Sequence, residues 1–347
     1  MVISTTETTT ETTTETMDAQ RLRTSPNLAI VGSTSLLGKE LKEMIEESDF
    51  PKGRLTLLET EEYAGLLQEF AGEIRITQII SPAALNDVDI AFFACSPEIM
   101  RAYAASGAPF PDLTIDLTQT DQPGTLFLHG ISDPRSLHTT GHFINPHPAS
   151  IVLARVLSRL HHKFGLESAA VTIMEPVSEQ GRAGGDELQE QTVSLLNFHG
   201  FESKVFGAQV AFNLLQNPNI SQQTEDRVLK QVMSILGDAV TAPMITAVQA
   251  PVFHSHCFSL LVHLLRTPAP EEIRDHLRMG TATIELRDGA SPVGVTGTDK
   301  IHIGRVHQHP EHSGAYSLWI VADNLRVAAS NALQTAENII FAPPVGM

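Results

Sequence analysis

Histidines and carboxylates are the residues of this chain that could carry proton transfer or hold a metal ion. The sequence contains 15 histidines, and His254 and His256 would share one face of an extended strand because they are two residues apart. Imidazoles at such a spacing can ligate zinc or another transition metal, with Glu175 as a further ligand or as a base. This reading would allow metal-dependent hydrolysis or elimination.

A second group of histidines lies later in the chain and comprises His307, His309 and His312. We interpret the histidines after His302 as part of a polar surface loop that ends at Gly314. The sequence lacks a tight ligand motif such as His-Glu-x-x-His. We therefore predict no metal site, and the metal-dependent enzyme is kept as an alternative.

Two cysteines, Cys95 and Cys257, are the only thiols in the sequence and cannot form a disulfide framework. Cys257 adjoins His256, and neighbours on an extended strand point to opposite faces, so we expect Cys257 to be buried away from His256. Cys95 ends a buried strand at the carboxyl edge of a predicted sheet, where ligands bind in open α/β folds. We expect both thiols to be inert, with a catalytic thiol as the alternative.

A glycine-containing loop could hold a dinucleotide. It consists of Gly32, Ser33, Thr34, Ser35, Leu36, Leu37 and Gly38, between a short apolar run and a stretch compatible with a helix. A dinucleotide fold places its pyrophosphate there, against free N–H groups of the helix N-terminus. The middle position, where a glycine lets the backbone approach phosphate, is Ser35. A tight turn without a ligand is therefore the alternative.

The residues that would choose the nucleotide are Glu59 and Thr60, at the end of the second predicted strand. An acid about twenty residues past the loop can accept a hydrogen bond from a ribose 2′-hydroxyl. Glu61 and Glu62 follow, and no arginine lies nearby in the sequence to hold a 2′-phosphate. NAD or NADP could bind, and we favour NAD. A solvated acidic turn is the alternative.

The elements that would position these residues alternate between strands and helices in the first half. Predicted strands cover residues 28–31, 54–58, 88–94 and 113–116, with a helix over 36–47. Such alternation indicates a parallel sheet with right-handed crossovers.

The second half begins with a helix over residues 151–163 and a strand over 169–173. A loop over 181–185 is followed by helices over 186–196 and 224–236, then by strands over 244–252, 258–265, 281–286 and 316–321, and by a closing helix over 323–340. Successive strands with few helices between them indicate an α+β unit with a mixed sheet.

Composition limits the classes of partner. The net charge is −17 with only 23 basic residues, which argues against nucleic acid and against an anionic membrane surface. No apolar run approaches the roughly 20 residues of a membrane span, and no signal peptide is visible. We expect a cytoplasmic protein of two domains, preceded by a disordered Thr/Glu-rich tail over residues 1–26.

Four segments together carry a resemblance to a known family. They are the glycine loop, Asn145-Pro146-His147-Pro148-Ala149, His256 after Pro251-Val252, and the run from Asp323-Asn324-Leu325-Arg326 through Ala328-Ala329 to Asn331-Ala332-Leu333-Gln334. Over residues 27–341 the chain resembles the aspartate-semialdehyde dehydrogenase family. The resemblance implies a Rossmann-like dinucleotide-binding domain (27–147 with 323–347) and an α+β dimerisation domain (148–322) with a mixed sheet, in a homodimer.

The same resemblance implies that the family's active site is altered here. The catalytic histidine position is His256, but the position of the nucleophilic cysteine is Pro148, which offers no thiol and no N–H. The arginine that binds the substrate carboxylate corresponds to Gln249, and the substrate-orienting glutamine corresponds to Glu175. The phosphate-binding arginine has no counterpart in 116–122, which carries acids. The chain looks like the paralogues of this family that lack the cysteine.

Three functions remain open from the sequence. The first is a ligand-binding or regulatory homodimer, able to take a small molecule, that has lost the family reaction. The second is an NAD(P)-dependent oxidoreductase on an aldehyde without a cysteine acyl intermediate, with His256 as acid/base. The third is a purely structural or regulatory homodimer, since 258–262 is apolar on both strand faces, although burial within one chain explains that pattern equally well.

Overall fold

A computed structural model describes residues 25–137 and 140–341 of the chain. Most of the predicted tail, residues 1–24, lies outside the described residues, as do residues 342–347 at the other end.

The first half of the chain alternates strands with helices. Its elements are β1 (Leu28–Val31), α1 (Leu36–Glu47), β2 (Leu55–Glu59), β3 (Leu67–Phe70), β4 (Glu73–Ile76), β5 (Gln78–Ile79), α2 (Pro82–Leu85), β6 (Ile90–Phe93), α3 (Pro97–Ala105), β7 (Leu113–Asp116), β8 (Thr125–Leu126) and β9 (Gly141–Ile144), with 3-10 turns at Glu61–Tyr63 and Pro134–Ser136. Strands β3 and β4 form a separate antiparallel hairpin.

In the described part of the chain these strands build a seven-stranded sheet in the order β5-β2-β1-β6-β7-β9-β8, and every neighbouring pair is parallel. Every residue of β1, β6 and β7 is buried, because helices cover both faces of the sheet. The carboxyl ends of the strands therefore meet at one edge, and the glycine loop lies at that edge.

The second half contains α4 (Pro148–Phe164), β10 (Leu166–Glu175), α5 (Gly181–Leu196), α6 (Pro218–Leu236), β11 (Met244–Gln249), β12 (His256–Leu264), α7 (Pro270–Arg278), β13 (Ile284–Leu286), α8 (Pro292–Val295), β14 (Ile301–Gln308), β15 (Ala315–Ala322) and α9 (Asn324–Phe341), with 3-10 turns at Val177–Gln180 and Gly237–Ala239. Within the described residues its six strands form a sheet in the order β11-β10-β12-β15-β14-β13. Two of the strand pairs are parallel and the others antiparallel, so the predicted mixed sheet is confirmed.

Two helices connect the halves. Helix α4 packs against α6, α7 and α9 as well as against β10 and β12, and its apolar residues belong to the core of the second sheet. Helix α9 returns to pack on α1, and Ala329, Ala332, Leu333, Ala336 and Ile339 fill the core of the first sheet. Arg326 of α9 forms an ion pair of 3.0 Å with Glu43 of α1.

One sequence expectation is wrong, and a second is wrong in part. Residues 181–185 are the first turns of α5 and not a loop. The segment after His302 is a loop only at its end: β14 runs from Ile301 to Gln308 along β15 and includes His307, whereas His309 and His312 lie in the turn that ends at Gly314. One face of β12 is partly open, because Leu261 is exposed whereas Leu260 and Val262 are buried.

No helix among the described residues is long and apolar enough to cross a membrane.

Candidate functional site

The two glycines of the predicted dinucleotide loop are required by the packing of the fold. Gly32 has a φ of +87°, and a Cβ there would lie 2.6 Å from Cα of Cys95. A Cβ on Gly38 would lie 2.1 Å from the carbonyl oxygen of Gly32. Helix α1 thus approaches the ends of β1 and β6 closely whether or not a ligand binds.

Ser35, at the position where glycine was expected, is the N-cap of α1. Its Oγ accepts a hydrogen bond from the N–H of Gly38 and donates one to the carbonyl of Ala94, both at 2.8 Å. The hydroxyl is therefore committed to the fold. The N–H groups of Leu36 and Leu37, in contrast, have no acceptor among the described residues, and both residues line a cavity. They are the backbone donors that could bind an anion at this helix N-terminus.

Glu59 holds the glycine loop from the end of β2. Its Oε1 accepts hydrogen bonds from the N–H of Thr34 at 2.5 Å and from Oγ of Ser33 at 3.3 Å. Glu59 and Thr60 also line an outer cavity of about 960 Å³, together with Gly32, Thr34, Ser35 and Leu36. The structure thus brings the predicted loop and the predicted acid to one cavity.

Three cations in the outer cavity were not anticipated from the sequence. Arg182 of α5 lines it, as do Lys39 and Lys42 of α1. Arg182 lies more than a hundred residues from Glu59 in the chain, so no local pattern in the sequence could have indicated it.

An inner cavity of about 570 Å³ lies beside the first and contains the altered nucleophile position. Pro148 is the first residue of α4 and lines this cavity. Proline fits the first helical position because the N–H it lacks would have no partner within the helix. His147 precedes it as the N-cap, and its Nδ1 accepts a hydrogen bond from the N–H of Ala149 at 3.2 Å. The imidazole therefore does the capping.

A carboxylate between two imidazoles forms the polar centre of the inner cavity. Oε2 of Glu179 lies 3.1 Å from Nε2 of His147, and Oε1 lies 3.7 Å from Nε2 of His256. Asn324 donates a hydrogen bond of 2.8 Å from Nδ2 to Oε1. Burial opposes ionisation of Glu179, but the charge and hydrogen bond of His147, with His256 and Asn324, outweigh it and lower its pKa to about 2. Glu179 is thus a carboxylate at neutral pH.

His256 faces Glu179 but does not line the inner cavity. Its side chain is buried, and neither ring nitrogen has a hydrogen-bond partner among the described residues. Burial lowers the pKa of His256 to about 4 against the opposing effect of Glu179, so the ring is neutral at neutral pH. Proton exchange with the cavity would run through Glu179. The acid/base role of His256 stays a prediction.

The expected relation between His254 and His256 is wrong. Strand β12 begins only at His256, and Ser255 has a φ of +76°, so the alternation of an extended strand does not reach His254. Cys257 does lie away from His256, in a separate apolar cluster with Ala290, Val295 and Val321.

Glu175 ends β10 and lines the inner cavity. Its Oε1 accepts a hydrogen bond of 2.9 Å from Oγ1 of Thr224, whereas its buried Oε2 has no partner among the described residues. Burial, followed by the negative charge of Glu179, raises the pKa of Glu175 to about 8. Two carboxyl groups in one cavity therefore differ in charge at neutral pH.

Gln249 pairs with Glu175 in the register between β11 and β10. Its Nε2 donates hydrogen bonds to the carbonyls of Glu175, at 2.7 Å, and Ala250, at 3.2 Å. Gln249 is not among the residues that line the inner cavity, so its amide supports the strand ends rather than facing a ligand.

The inner cavity contains arginines, although the sequence showed only acids, and no arginine, in the segment 116–122. Arg227 of α6 and Arg101 of α3 both line it, and Arg101 lies 3.6 Å from Glu98. Asp116, one of the acids noted in the sequence, is buried, and its Oδ1 accepts hydrogen bonds from the N–H and Oγ1 of Thr118.

Neither thiol is placed as a nucleophile. Burial raises the pKa of the Cys95 thiol strongly and that of Cys257 to about 11. Cys95 lines both cavities from the end of the first sheet, and Cys257 lines neither. Among residues 25–137 and 140–341, no group of three or more histidine, cysteine or acidic side chains is arranged to hold a metal ion.

Comparisons with known proteins cover nearly the whole described chain. Residues 27–120 match the family model described as semialdehyde dehydrogenase, NAD binding domain, and residues 157–327 match the model described as semialdehyde dehydrogenase, dimerisation domain. An aspartate-semialdehyde dehydrogenase 2 of Vibrio cholerae is 31% identical over 331 residues, which is 90% of this chain and 97% of the relative. A USG-1 protein homolog of Pseudomonas aeruginosa is 30% identical, with the same coverage.

Solved structures that are similar to this chain come from the same family as the sequence relatives. The crystal structure of aspartate semialdehyde dehydrogenase II from Vibrio cholerae, complexed with ASA, superposes with a TM-score of 0.82 at 29% identity, over 92% of this chain and 99% of that one. A probable aspartate-semialdehyde dehydrogenase from Pseudomonas aeruginosa gives a TM-score of 0.81, also at 29% identity and with the same coverage.

Proposed function

Because this chain belongs to the semialdehyde dehydrogenase family, we propose that it is a ligand-binding or regulatory homodimer that has lost the reaction of aspartate-semialdehyde dehydrogenases. The observation that carries this proposal is Pro148 in the first turn of α4, inside the inner cavity. The family reaction requires a thiolate at this place to form a covalent acyl intermediate. A proline supplies neither a thiol nor an N–H.

No other thiol takes over that role. Cys95 lines the inner cavity beside the glycine loop, and its raised pKa keeps it protonated. Cys257 lies behind the strand that carries His256. Gln249, at the position of the substrate arginine, does not line the cavity.

The proposed ligand of the outer cavity is a nicotinamide dinucleotide, with NAD favoured over NADP. The free N–H groups of Leu36 and Leu37 would bind the pyrophosphate. Glu59 and Thr60 would accept hydrogen bonds from the adenosine ribose. Arg182, Lys39 and Lys42 line the same cavity and are the groups that could favour a 2′-phosphate instead.

The proposal of a homodimer is supported by the family description of residues 157–327 as a dimerisation domain. The open face of the second sheet carries exposed Leu261 and Met244, which a second copy would cover. Sedimentation equilibrium measures the mass directly, and a monomer at micromolar concentration would contradict the proposal.

The decisive experiment combines turnover and binding. Purified protein should not oxidise aspartate semialdehyde with phosphate and either nucleotide, whereas NAD should raise its melting temperature by mass action. Clear oxidation of aspartate semialdehyde by the wild-type protein would contradict the proposed loss of the family reaction. A melting temperature unchanged by millimolar NAD and NADP would overturn dinucleotide binding.

A second candidate function is an NAD(P)-dependent oxidoreductase that acts on an aldehyde without an acyl intermediate. The contact of Glu179 with both His256 and His147 favours it, since a proton could pass between the inner cavity and a buried imidazole. This function would be supported over the first if the protein reduces NAD with simple aldehydes and if the rate of that reduction falls when His256 is replaced by Asn. The absence of nucleotide reduction with any aldehyde would exclude it.

A further inference from the structure

One face of the β3–β4 hairpin packs on the rest of the molecule. Gln68 and Phe70 of β3 lie two residues apart on an extended strand, so their side chains share this face. Phe70 is buried in the core of the first sheet, and Nε2 of Gln68 donates a hydrogen bond of 3.0 Å to Oγ of Ser33 in the glycine loop. The alternate residues of the hairpin must therefore point away from the fold.

The outward side of the hairpin is apolar. In the register Leu67 lies opposite Ile76, and paired residues point to the same side of a sheet. Glu69 and Ile74 form the next pair on that side. Leu67, Ile74 and Ile76 are each more than half exposed, as is Ile79 of the edge strand β5. We refer to these four aliphatic residues as the hairpin face.

The hairpin face has the properties of a docking surface. Within residues 25–137 and 140–341, β3 and β4 pair only with each other, and no element buries the hairpin face. Exposed aliphatic strands promote association, which is why outward positions of such strands usually carry charges. Contiguous apolar patches with a polar rim mark interaction sites on soluble proteins.

The charges around the hairpin face are almost all acidic. Segment 61–79 contains four carboxylates and one cation, and all four carboxylates are exposed: Glu61, Glu62, Glu69 and Glu73. The cation, Arg75, is already paired with Glu73 at 2.6 Å. A partner for this surface should therefore carry cations around an apolar centre.

A second copy of this chain does not meet that requirement. A two-fold contact joins a patch to itself, so the acids of one copy would face the same acids of the other. Like charges that face each other across an interface are unfavourable. Residues 5–16 consist of threonine and glutamate alone, so that segment of the chain does not match either. An anionic lipid surface would be repelled in the same way.

We propose that the hairpin face binds a basic amphipathic helix of another protein. The apolar side of the helix would cover Leu67, Ile74 and Ile76, and its cations would lie opposite Glu69 and the neighbouring acids. Four strand residues at about 3.3 Å each give a surface roughly 13 Å long, which two to three turns of helix would span. The proposal goes beyond ligand binding, since Ile74 and Ile76 line neither of the two cavities.

Fluorescence anisotropy with a labelled peptide tests the proposal. The probe is about 18 residues long, enough to form a helix, with leucine on one face and lysine on the other. It should bind the wild-type protein, whereas a matched peptide with glutamate in place of lysine should bind at least about tenfold more weakly. Glu69→Gln should weaken binding of the leucine/lysine peptide about threefold.

The decisive variant removes apolar surface and leaves the charge of the protein unchanged. Ile74→Ser combined with Ile76→Ser should weaken binding of the leucine/lysine peptide at least about tenfold. Val293→Ser, at an exposed apolar residue of α8, is the matched control and should bind the peptide as the wild type does. Thermal melts without peptide verify that each variant folds.

Four outcomes would overturn the proposal. Equal affinity of the wild type and the double serine variant would mean that an acidic protein holds the peptide by charge alone. No rise in anisotropy with the leucine/lysine peptide, or tighter binding of the glutamate peptide, would contradict the proposed complementarity. Sedimentation equilibrium supplies the last outcome: if the wild type forms larger assemblies than the double serine variant, a second copy covers the hairpin face instead.

Discussion

Nε2 of His147 lies 3.1 Å from Oε2 of Glu179, while Nδ1 of the same ring caps helix α4. One imidazole thus joins the start of the central helix to the acid of the inner cavity. The residues are 32 positions apart in the sequence, with His147 directly before α4 and Glu179 in the 3-10 turn that follows β10.

Replacement of Glu179 by Gln should destabilise the protein by about 2–3 kcal/mol at neutral pH. The folded state lowers the pKa of Glu179 from 4.5 to about 2, so its contribution is complete above pH 4.5 and is lost as the pH falls toward 2. Urea unfolding of wild type and variant from pH 7 downward measures this. The difference in the free energy of unfolding between wild type and variant should decrease below pH 4.5. A difference that does not change with pH would contradict the ion pair between Glu179 and His147.

Replacement of His256 by Asn should make stability less dependent on pH between 6.5 and 4. The folded state lowers the pKa of His256 to about 4, so the unfolded chain takes up a proton first and the wild type loses about 2–3 kcal/mol as the pH falls through this window. Urea unfolding at several pH values tests it. The control is His199→Asn, an exposed histidine, which should retain the wild-type slope.

Replacement of Pro148 by Cys should create a reactive thiol without restoring the family reaction. A thiol in the first turn of α4 would have a lowered pKa from the helix N-terminus and should react with iodoacetamide at least about tenfold faster than the wild type. Burial raises the pKa of both wild-type thiols, so they provide the slow reference. Turnover of aspartate semialdehyde should stay absent, because Gln249 carries no charge and does not line the cavity. Substantial turnover would mean that only the nucleophile has been lost.

Replacement of Ser35 by Ala should cost about 0.5–2 kcal/mol of stability, because it removes the N-cap of α1. Ser291→Ala is a matched control, since Ser291 also precedes a helix but makes no capping hydrogen bond with its side chain. Chemical denaturation compares the two variants, and equal losses would argue against a capping role for Ser35.

The sequence predicted elements well where the periodicity was strong and local. Helix α1 was predicted with its observed bounds, because Leu37, Leu41 and Ile45 recur on one face. The first turn of α5 was missed because glycines usually mark loops. Gly184 is required there by packing, since a Cβ would lie 2.2 Å from the carbonyl oxygen of Val177. Strand β14 was missed because polar histidines interrupt its apolar pattern.

The candidate site was only partly predictable. The glycine loop and Glu59 lie about twenty residues apart within one structural unit, so sequence spacing was enough to pair them. Glu179, Arg182 and Arg227 were missed because their place in the cavities depends on how helices of the second half pack against the first sheet. Position in the fold, rather than spacing along the chain, brings such charges together.

Helix α4 has a consequence for how this protein denatures. Its buried residues belong to the core of the second sheet, while its neighbour α9 contributes Val327 to that core and Ala332 and Leu333 to the other. Neither core can open without exposing apolar surface of the other. We therefore expect heating to give a single calorimetric peak, with equal van't Hoff and calorimetric enthalpies, although the chain contains two sheets.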